Sequence, residues 1–257
     1  MKKRKLICVF CLFLLTSCSF ENSSRTISKE NSEIKEELRV EDSVTIKANK
    51  LDEIYQIERE KAKKIGRKLE EAYANSSEIV GGSIADYFAD TSSLKELKEN
   101  SEFIIDGVVT NTVVISSLDS NQFKSLNTRV EILVKQVYKG DKKLIGKKIR
   151  EEELGGILPK EEWQADNQLT NKVTAEYIID APNDTPPSII GQDVVIFLMK
   201  DGENYYPYGG NGGIFRLNQQ TSKYERINEK YNASFNEENR QVNQEVNEMI
   251  EQQNKEK

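Results

Sequence analysis

The chain has 257 residues, with 37 Lys and Arg against 43 Asp and Glu, and a formal net charge of −6 at pH 7. It contains no histidine and three cysteines, so a Ser-His-Asp triad, a Cys-His dyad and an HExxH zinc helix are excluded. We expect no catalytic residues, no metal and no cofactor. The acidic composition argues against nucleic acid as a partner, because phosphate binding requires clustered Lys and Arg.

The N-terminus has the pattern of an export signal. MKKRK is followed by ten apolar residues, Leu6 to Leu15, a run too short to cross a bilayer as a helix. The run ends in Leu15-Thr16-Ser17-Cys18, which resembles the lipobox of bacterial lipoproteins. The resemblance implies that residues 1–17 are removed as a signal peptide and that the Cys18 sulfur carries diacylglycerol. The alternative is an ordinary signal with an incidental cysteine.

The predicted lipid anchor would place the protein on the extracytoplasmic face of a cell membrane. Two acyl chains hold a protein stably, whereas one gives only marginal binding. Removal of the signal takes away four basic residues and changes the formal charge from −6 to −10. It also removes Cys8 and Cys11, so neither a disulfide nor a Cys-based metal site can form in the rest of the chain.

Two segments precede the predicted strands. Residues 18–50 are rich in Ser, Asn, Glu and Lys without an apolar period, which predicts a disordered tether. Residues 51–100 are predicted to be helical, with Asn49 as a cap, a stop at 75–77, and a second short helix at 91–100. We expect the apolar stripe of the first helix to pack on its own domain, although it could be a partner face. The stripe consists of Leu51, Ile54, Tyr55, Ala62, Ile65, Leu69 and Tyr73.

From residue 101 the apolar period changes from helical to strand-like. EFIIDGVV and RVEILVKQVY alternate, DVVIFLMK is apolar on both faces like a central strand, and GIFRL and KYERI predict a hairpin. Gly107 within a strand indicates a bend. The sequence therefore predicts a mainly β domain with flanking helices, an α+β class, with a small curved barrel or sandwich over 101–232.

Two further segments are less regular in sequence. Residues 155–191 contain four of the five prolines and predict an irregular excursion with one short strand at 173–179. Residues 233–257 predict a polar C-terminal helix or tail, with Ser234 and Glu237 at capping-box spacing. Whether this helix docks, pairs or frays is open from the sequence. Its apolar side consists of Phe235, Val242, Val246, Met249 and Ile250.

Four stretches carry a resemblance to a known fold. They are SEFIIDGVVTNTVV, TRVEILVKQVYKGD, KKI and GQDVVIFLMKDGENYYPYGGNGGIF, and they are similar to secreted and lipid-anchored domains most familiar from Gram-positive bacteria. The resemblance covers Ser101 to Leu217. It implies an oligonucleotide/oligosaccharide-binding (OB) barrel of the variant used by tissue inhibitors of metalloproteinases and netrin modules. Those inhibitors need a free, disulfide-tied N-terminal cysteine, and Cys18 does not match it, so protease inhibition is not expected.

A tyrosine- and glycine-rich stretch contains candidate binding residues. In YYPYGGNGGIF, Tyr205, Tyr206, Tyr208 and Asn211 accompany four glycines. We predict either an aromatic rim that binds sugars or a protein, or a strand corner with a bend, and we prefer the corner.

The stretch REEELGG contains a possible carboxylate pair. Glu151 and Glu153 share one side of a strand and could divide acid and base roles on a glycosidic bond. The preferred interpretation is a solvated strand end, because runs of charge are usually exposed.

Three functions remain open from the sequence. The first and preferred one is a non-catalytic module that binds an envelope protein or a cell-wall component. The second is a wall-sugar hydrolase that uses Glu151 and Glu153. The third is a structural or immunity-type surface protein whose terminal segments associate with one another.

Overall fold

The computed structural model describes residues 33–80, 89–118, 124–167, 175–182, 185–226 and 235–255. Contacts divide the chain into two units, Met1–Thr45 and Ile46–Lys257. In the first unit the described residues, 33–45, are helical, and the second unit contains the described strands. Within the described ranges, every helix is too short or too polar to span a lipid bilayer.

The described elements confirm an α+β protein that is mainly β. The helices are α1 (Glu33–Ser76), α2 (Leu94–Asn100), α3 (Lys160–Asn167) and α4 (Phe235–Lys255). The strands are β1 (Ser77–Val80), β2 (Phe103–Leu118), β3 (Lys124–Lys139), β4 (Lys148–Leu154), β5 (Gly156–Pro159), β6 (Tyr177–Asp180), β7 (Asp193–Asp201), β8 (Asn204–Pro207), β9 (Ile214–Asn218) and β10 (Lys223–Glu225).

Helix α1 begins earlier than the sequence predicts. It starts at Glu33, inside the segment predicted as a tether, so Asn49 does not lie at its start. The added residues are rich in Glu and Lys, whose straight side chains lose little freedom in a helix. Helix α2 begins where expected, because the Ser93 side chain accepts a hydrogen bond from the backbone N–H of Glu96.

The main sheet closes into a ring of hydrogen bonds. Strands β7, β2, β3 and β4 are neighbours, β4 pairs in parallel with β8, and β8 pairs with the end of β7. Strands β9 and β10 extend the sheet beyond β7 as the expected hairpin. A separate three-stranded sheet has the order β1-β6-β5.

The ring curves where β2 departs from regular pairing. The register with β3 shifts at three places, one of them between Asp106 and Gly107. A Cβ at Gly107 would overlap the carbonyl oxygen of Leu133 on the neighbouring strand. The absence of a side chain therefore permits the close approach and the bend, as the sequence predicts.

Two hydrophobic clusters lie on opposite faces of the ring, and β7 contributes to both. Val194, Ile196 and Leu198 belong to the interior cluster, whereas Val195 and Phe197 face outward. This alternation confirms β7 as a strand that is buried on both sides. The outer cluster also contains Leu97 of α2, together with Phe215, Val242, Val246 and Met249.

Helix α4 docks on the domain, which settles a question that the sequence leaves open. Val242 and Val246 have no exposed surface, and Met249 is buried beside them. Asn247 adds polar contacts to β10, since it accepts from the backbone N–H of Tyr224 and donates to its carbonyl oxygen. The predicted cap Ser234 lies outside the described residues, as does the side chain of Phe235.

Only part of the apolar stripe of α1 packs on the domain. Tyr55 and Ala62 are buried in a cluster with Val108 and Leu133. Gly66 allows the helix backbone to approach a loop, because a Cβ there would overlap the carbonyl oxygen of Ile190. Among the described side chains of this helix, Leu51, Ile54, Ile57 and Ile65 are exposed, whereas Leu69 and Tyr73 of the predicted stripe are half-buried.

The segment 155–191 is more regular than the sequence predicts. It contains β5, α3 and β6, and β6 pairs with both β1 and β5. The short strand expected at 173–179 is present as Tyr177–Asp180. The aromatic ring of Tyr177 on this strand contacts that of Tyr73 on α1, with the ring centroids 5.1 Å apart in an edge-to-face arrangement.

A buried carboxylate pair as the candidate functional site

Two glutamate side chains of strand β4 point into the interior of the protein. Burial alternates along this strand, and Ile149, Glu151 and Glu153 are the buried positions. Ile149 belongs to the cluster inside the ring, and successive alternate residues of a strand share one face. Each glutamate is 1% exposed. The predicted solvated strand end is therefore wrong, because closure of the ring makes this face of β4 an interior face.

Glu153 forms an ion pair with a buried arginine from β9. The Nη2 atom of Arg216 donates to Oε2 of Glu153 at 3.2 Å, and the same oxygen accepts from the backbone N–H of Ser188. Arg216 also donates to the Ser188 hydroxyl oxygen at 3.2 Å and to the Pro186 carbonyl oxygen at 3.1 Å. Burial lowers the pKa of the Arg216 guanidinium, and the two nearby carboxylates oppose that effect.

Glu151 has no hydrogen-bond donor among the described residues. Its carboxyl lies against that of Glu153, and Oε1 of Glu153 also lacks a donor. Burial raises the pKa of Glu151 well above its usual range, and the neighbouring charge of Glu153 raises it further. A proton on Glu151 therefore provides the missing donor. With that proton, the group of Glu151, Glu153 and Arg216 is electrically neutral, which suits an interior site.

Asn211 closes the polar cluster at the end of β4. Its side chain donates to the carbonyl oxygens of Leu154 and Thr185 at 3.0 Å and accepts from the Leu154 backbone N–H at 3.1 Å. It is 2% exposed. The glycine-rich segment that carries it, Gly210–Gly213, forms a short 3₁₀ turn between β8 and β9. This turn agrees with the predicted strand corner.

The structure separates the predicted aromatic rim. Tyr205 is 9% exposed and packs edge to face on Phe103, with 5.4 Å between centroids, so it belongs to the core. Tyr206 and Tyr208 remain partly exposed, and Tyr208 also packs on the outer hydrophobic cluster. With Asn211 also buried, only Tyr206 and Tyr208 can contribute to a surface rim.

A second buried polar group joins α1 to β7. Asp193 accepts from Nε and Nη2 of Arg59, each at 2.8 Å, and Nζ of Lys63 lies 2.9 Å from the same carboxylate. The bidentate geometry fixes the position of the helix on the sheet. Sequence reasoning missed this contact, because Arg59 and Asp193 are 134 residues apart and no local pattern connects them.

Asp106 on β2 is a further buried carboxyl. Burial raises its pKa to about 6, although nearby Lys135 and a hydrogen bond from the Tyr224 hydroxyl, at 3.2 Å, both oppose the rise. Asp106 also raises the pKa of Tyr138 and Tyr224, for which burial is the larger cause.

The carboxylate pair has acid-base potential, but both side chains are enclosed among the described residues, at 1% exposure each. A carboxyl with a raised pKa beside an ionised one is the arrangement used for proton transfer. Two surface cavities within the described ranges do not include the pair: one of about 250 Å³ lies between α1 and the loop at Ile190, and one of about 590 Å³ lies between β10 and α4. Within the described ranges, no group of three or more acidic, His or Cys residues is placed to bind a metal ion.

Cys18, the predicted point of lipid attachment, lies outside the described residues. Scans against protein-family models and searches of curated proteins and of solved structures gave no match to this chain.

Proposed function

We propose that this protein is a lipoprotein anchored through Cys18 at the extracytoplasmic face of a cell membrane, and that its domain is a non-catalytic binding module. One observation carries the anchor: a basic start, an apolar run and Leu15-Thr16-Ser17-Cys18 occur in the order that lipid attachment requires. Cys18 is also the last cysteine of the chain, so the thiol has no disulfide partner after signal removal.

We further propose that the ring of strands is an OB-like barrel. Three features support this identity. Strands β2, β3 and β4 form a meander. In chain order β4 and β8 are the third and fifth strands of the ring, and they pair in parallel. Strand β7, the fourth, pairs with β2, the first. A five-stranded ring of this order, filled by side chains, is the arrangement of OB barrels. The fold by itself names no ligand.

Burial of the carboxylates supports binding rather than catalysis. A hydrolase must bring its acid and its base to a sugar, and Glu151 and Glu153 are each 1% exposed and enclosed with Arg216. The ion pair between Glu153 and Arg216 links β4 to β9 in the interior of the protein. The partner, an envelope protein or a cell-wall component, would then meet the outer surface, where Tyr206 and Tyr208 are partly exposed.

The anchor is tested by mass analysis of the protein purified from its native host. We expect a polypeptide that begins at Cys18 and carries diacylglycerol mass, found in the membrane fraction. Cys18→Ser is the matched control, and it should abolish both the added mass and the membrane retention. An intact thiol on the wild-type protein would overturn the proposal.

The binding function is tested with the unacylated chain 19–257, which contains every described residue. We expect it to co-sediment with purified wall material or to cross-link to an envelope protein on cells. Tyr206→Ala and Tyr208→Ala should weaken this retention. Val113→Ala is the control, because Val113 is 51% exposed and lies on a different strand. No retention by either route would reject the binding module.

One observation favours the alternative hydrolase, namely the raised pKa of Glu151 beside Glu153. The assay is release of soluble sugar from purified wall material by the same chain. Release that is lost in both Glu151→Gln and Glu153→Gln would establish the hydrolase. Unchanged release in both variants, or no release, would exclude these carboxylates.

A further inference from the structure

Helix α1 has a second apolar flank that stays about half exposed within the described chain. Leu51, Ile54, Ile57 and Ile65 are 44%, 45%, 49% and 48% exposed, respectively. The helix contacts the sheet through a different side, that of Tyr55 and Ala62. Large aliphatic side chains grouped on one exposed helix flank are a mark of an interaction surface.

Lysines share this flank with the isoleucines. At 3.6 residues per turn, seven residues of α1 fall within one arc of about 100° around the helix axis. They are Lys50, Ile54, Ile57, Lys61, Lys64, Ile65 and Lys68. All the lysines among them are exposed. Between Lys50 and Lys68 the acidic residues of this helix lie outside the arc, and Glu53 and Glu58 lie about 20° beyond its edges.

The turn between β3 and β4 continues the same surface. A Cβ at Gly146 would lie 2.9 Å from a methyl group of Leu51, so the turn lies directly beside the helix. Ile145 in this turn is 39% exposed. Four exposed lysines surround it: Lys142, Lys143, Lys147 and Lys148. We call the α1 arc, Leu51 and residues 142–148 together the Ile/Lys face.

Charge on the Ile/Lys face is opposite to that of the whole chain. The chain has a net charge of −6, yet this face gathers eight lysines. Two of these lysines are already paired with acidic residues at the margin of the face, Lys61 with Glu58 at 2.8 Å and Lys148 with Glu131 at 3.0 Å. Cationic side chains around exposed aliphatic ones fit the boundary between lipid headgroups and acyl chains, where both are stabilised.

We propose that the Ile/Lys face binds the surface of an anionic lipid bilayer. The isoleucines enter the headgroup region, and the lysines lie near the lipid phosphates. A nucleic acid would leave the isoleucines without a role and would call for aromatic residues to stack on bases. A protein partner would call for aromatic anchors, and the face has none. This contact goes beyond the Cys18 anchor and does not depend on acylation.

The test uses the unacylated chain 19–257 in vesicle co-sedimentation. We expect binding to phosphatidylcholine vesicles that contain about one third phosphatidylglycerol, and weak binding to pure phosphatidylcholine. Raising the salt from about 0.1 M to about 1 M should reduce binding, because it shortens the screening length from about 10 Å to about 3 Å. Equal binding to both vesicle types, or to neither, would overturn the proposal.

Two sets of variants separate the contributions. Lys61→Gln, Lys64→Gln and Lys68→Gln together should weaken binding by at least tenfold, since each lysine near an anionic surface contributes about a fivefold factor. The control variant has the same change in charge at three lysines outside the face: Lys95→Gln, Lys98→Gln and Lys223→Gln. Its vesicle binding should stay within about twofold of that of the wild type. Equal losses in both triple variants would mean that net charge alone drives binding, which would refute a localised face.

The apolar contribution is tested by Ile54→Ser with Ile57→Ser, which leaves every charge in place. We expect clear loss of binding to anionic vesicles with unchanged circular dichroism, because both side chains are exposed. Unchanged binding would overturn insertion of the isoleucines. If the native protein is acylated at Cys18 but the unacylated chain does not bind anionic vesicles, the Ile/Lys face is rejected as a lipid-binding surface and the Cys18 anchor is not.

Discussion

Glu151→Gln should stabilise the protein at neutral pH, because it replaces a buried ionisable side chain with a neutral one of the same shape. Because the folded pKa of Glu151 is raised, the folded protein keeps a proton that the unfolded chain releases. The stability that this proton provides is therefore present below the unfolded pKa, about 4.3, and is lost as the pH rises. Glutamine keeps the shape, cannot ionise, and can donate its amide N–H to the unpartnered Oε1 of Glu153.

The magnitude follows from proton linkage. Above about pH 4.3 the free energy of unfolding of the wild type should fall by about 1.4 kcal/mol per pH unit from this residue, for as long as the folded protein keeps the proton. The advantage of Glu151→Gln should therefore be small near pH 4 and should increase at that slope toward neutral pH. Asp106 contributes its own pH dependence to both proteins, so it cancels in the difference.

The assay is urea unfolding of both proteins, followed by circular dichroism, at pH values from about 4 to about 8. Glu152→Gln is the matched control. Glu152 is the residue between the pair, its side chain is 25% exposed, and its bond to Arg129 is a surface ion pair. Such pairs contribute about 0–1 kcal/mol, so the control should show no added slope. Arg216→Met should act in the opposite direction, with a loss of about 3–5 kcal/mol, because it leaves Glu153 buried without its cation.

A constant difference between Glu151→Gln and the wild type across this pH range would refute the shared proton. A Glu151→Gln protein that is less stable than the wild type at neutral pH would refute it too, since it would mean that the ionised form of Glu151 is the stabilising one.

Three more outcomes are expected. Tyr224→Phe removes a hydrogen bond that lowers the pKa of Asp106, so the carboxyl titration of Asp106, seen by NMR, should move above about 6; a lower midpoint would contradict the assigned hydrogen bond. Gly66→Ala should lower the free energy of unfolding by about 1–3 kcal/mol, because the added methyl overlaps the Ile190 carbonyl oxygen, and an unchanged urea midpoint would show that the helix does not approach so closely. Val246→Asp should release α4, so that its amides exchange rapidly while those of β2 stay protected; equal loss of protection in both would show that α4 and the ring unfold as one unit.

Alternation of apolar residues is a local property, and it located β2, β3 and β7 of the ring correctly, whereas β8 was not predicted as a strand. The two-sided burial of β7, the bend at Gly107 and the hairpin of β9 and β10 all follow from short stretches of sequence. The early start of α1 and the regular elements within 155–191 were not predicted. The first agrees with the helix propensity of Glu and Lys, and the second depends on pairing of β6 with β1 and β5.

At the candidate site, too, local sequence predicted some features and long-range contacts decided the others. Strand periodicity placed Glu151 and Glu153 on one face, but it could not say that the face points inward. That depends on closure of the ring and on Arg216, which lies 63 residues after Glu153. Tyr205 and Asn211 were candidate rim residues in the sequence, yet both are buried by contacts with Phe103 and with Leu154 and Thr185, which are distant in sequence.

The sequence by itself determined the strand pattern, the absence of histidine chemistry and the N-terminal motif, because each is written in neighbouring residues or in composition. The tertiary structure alone decided which carboxylates are enclosed, that α4 docks, and which flank of α1 faces solvent. The physical reason is that burial and pKa depend on groups brought together over more than a hundred residues, as between Arg59 and Asp193, and not on the local order of the chain.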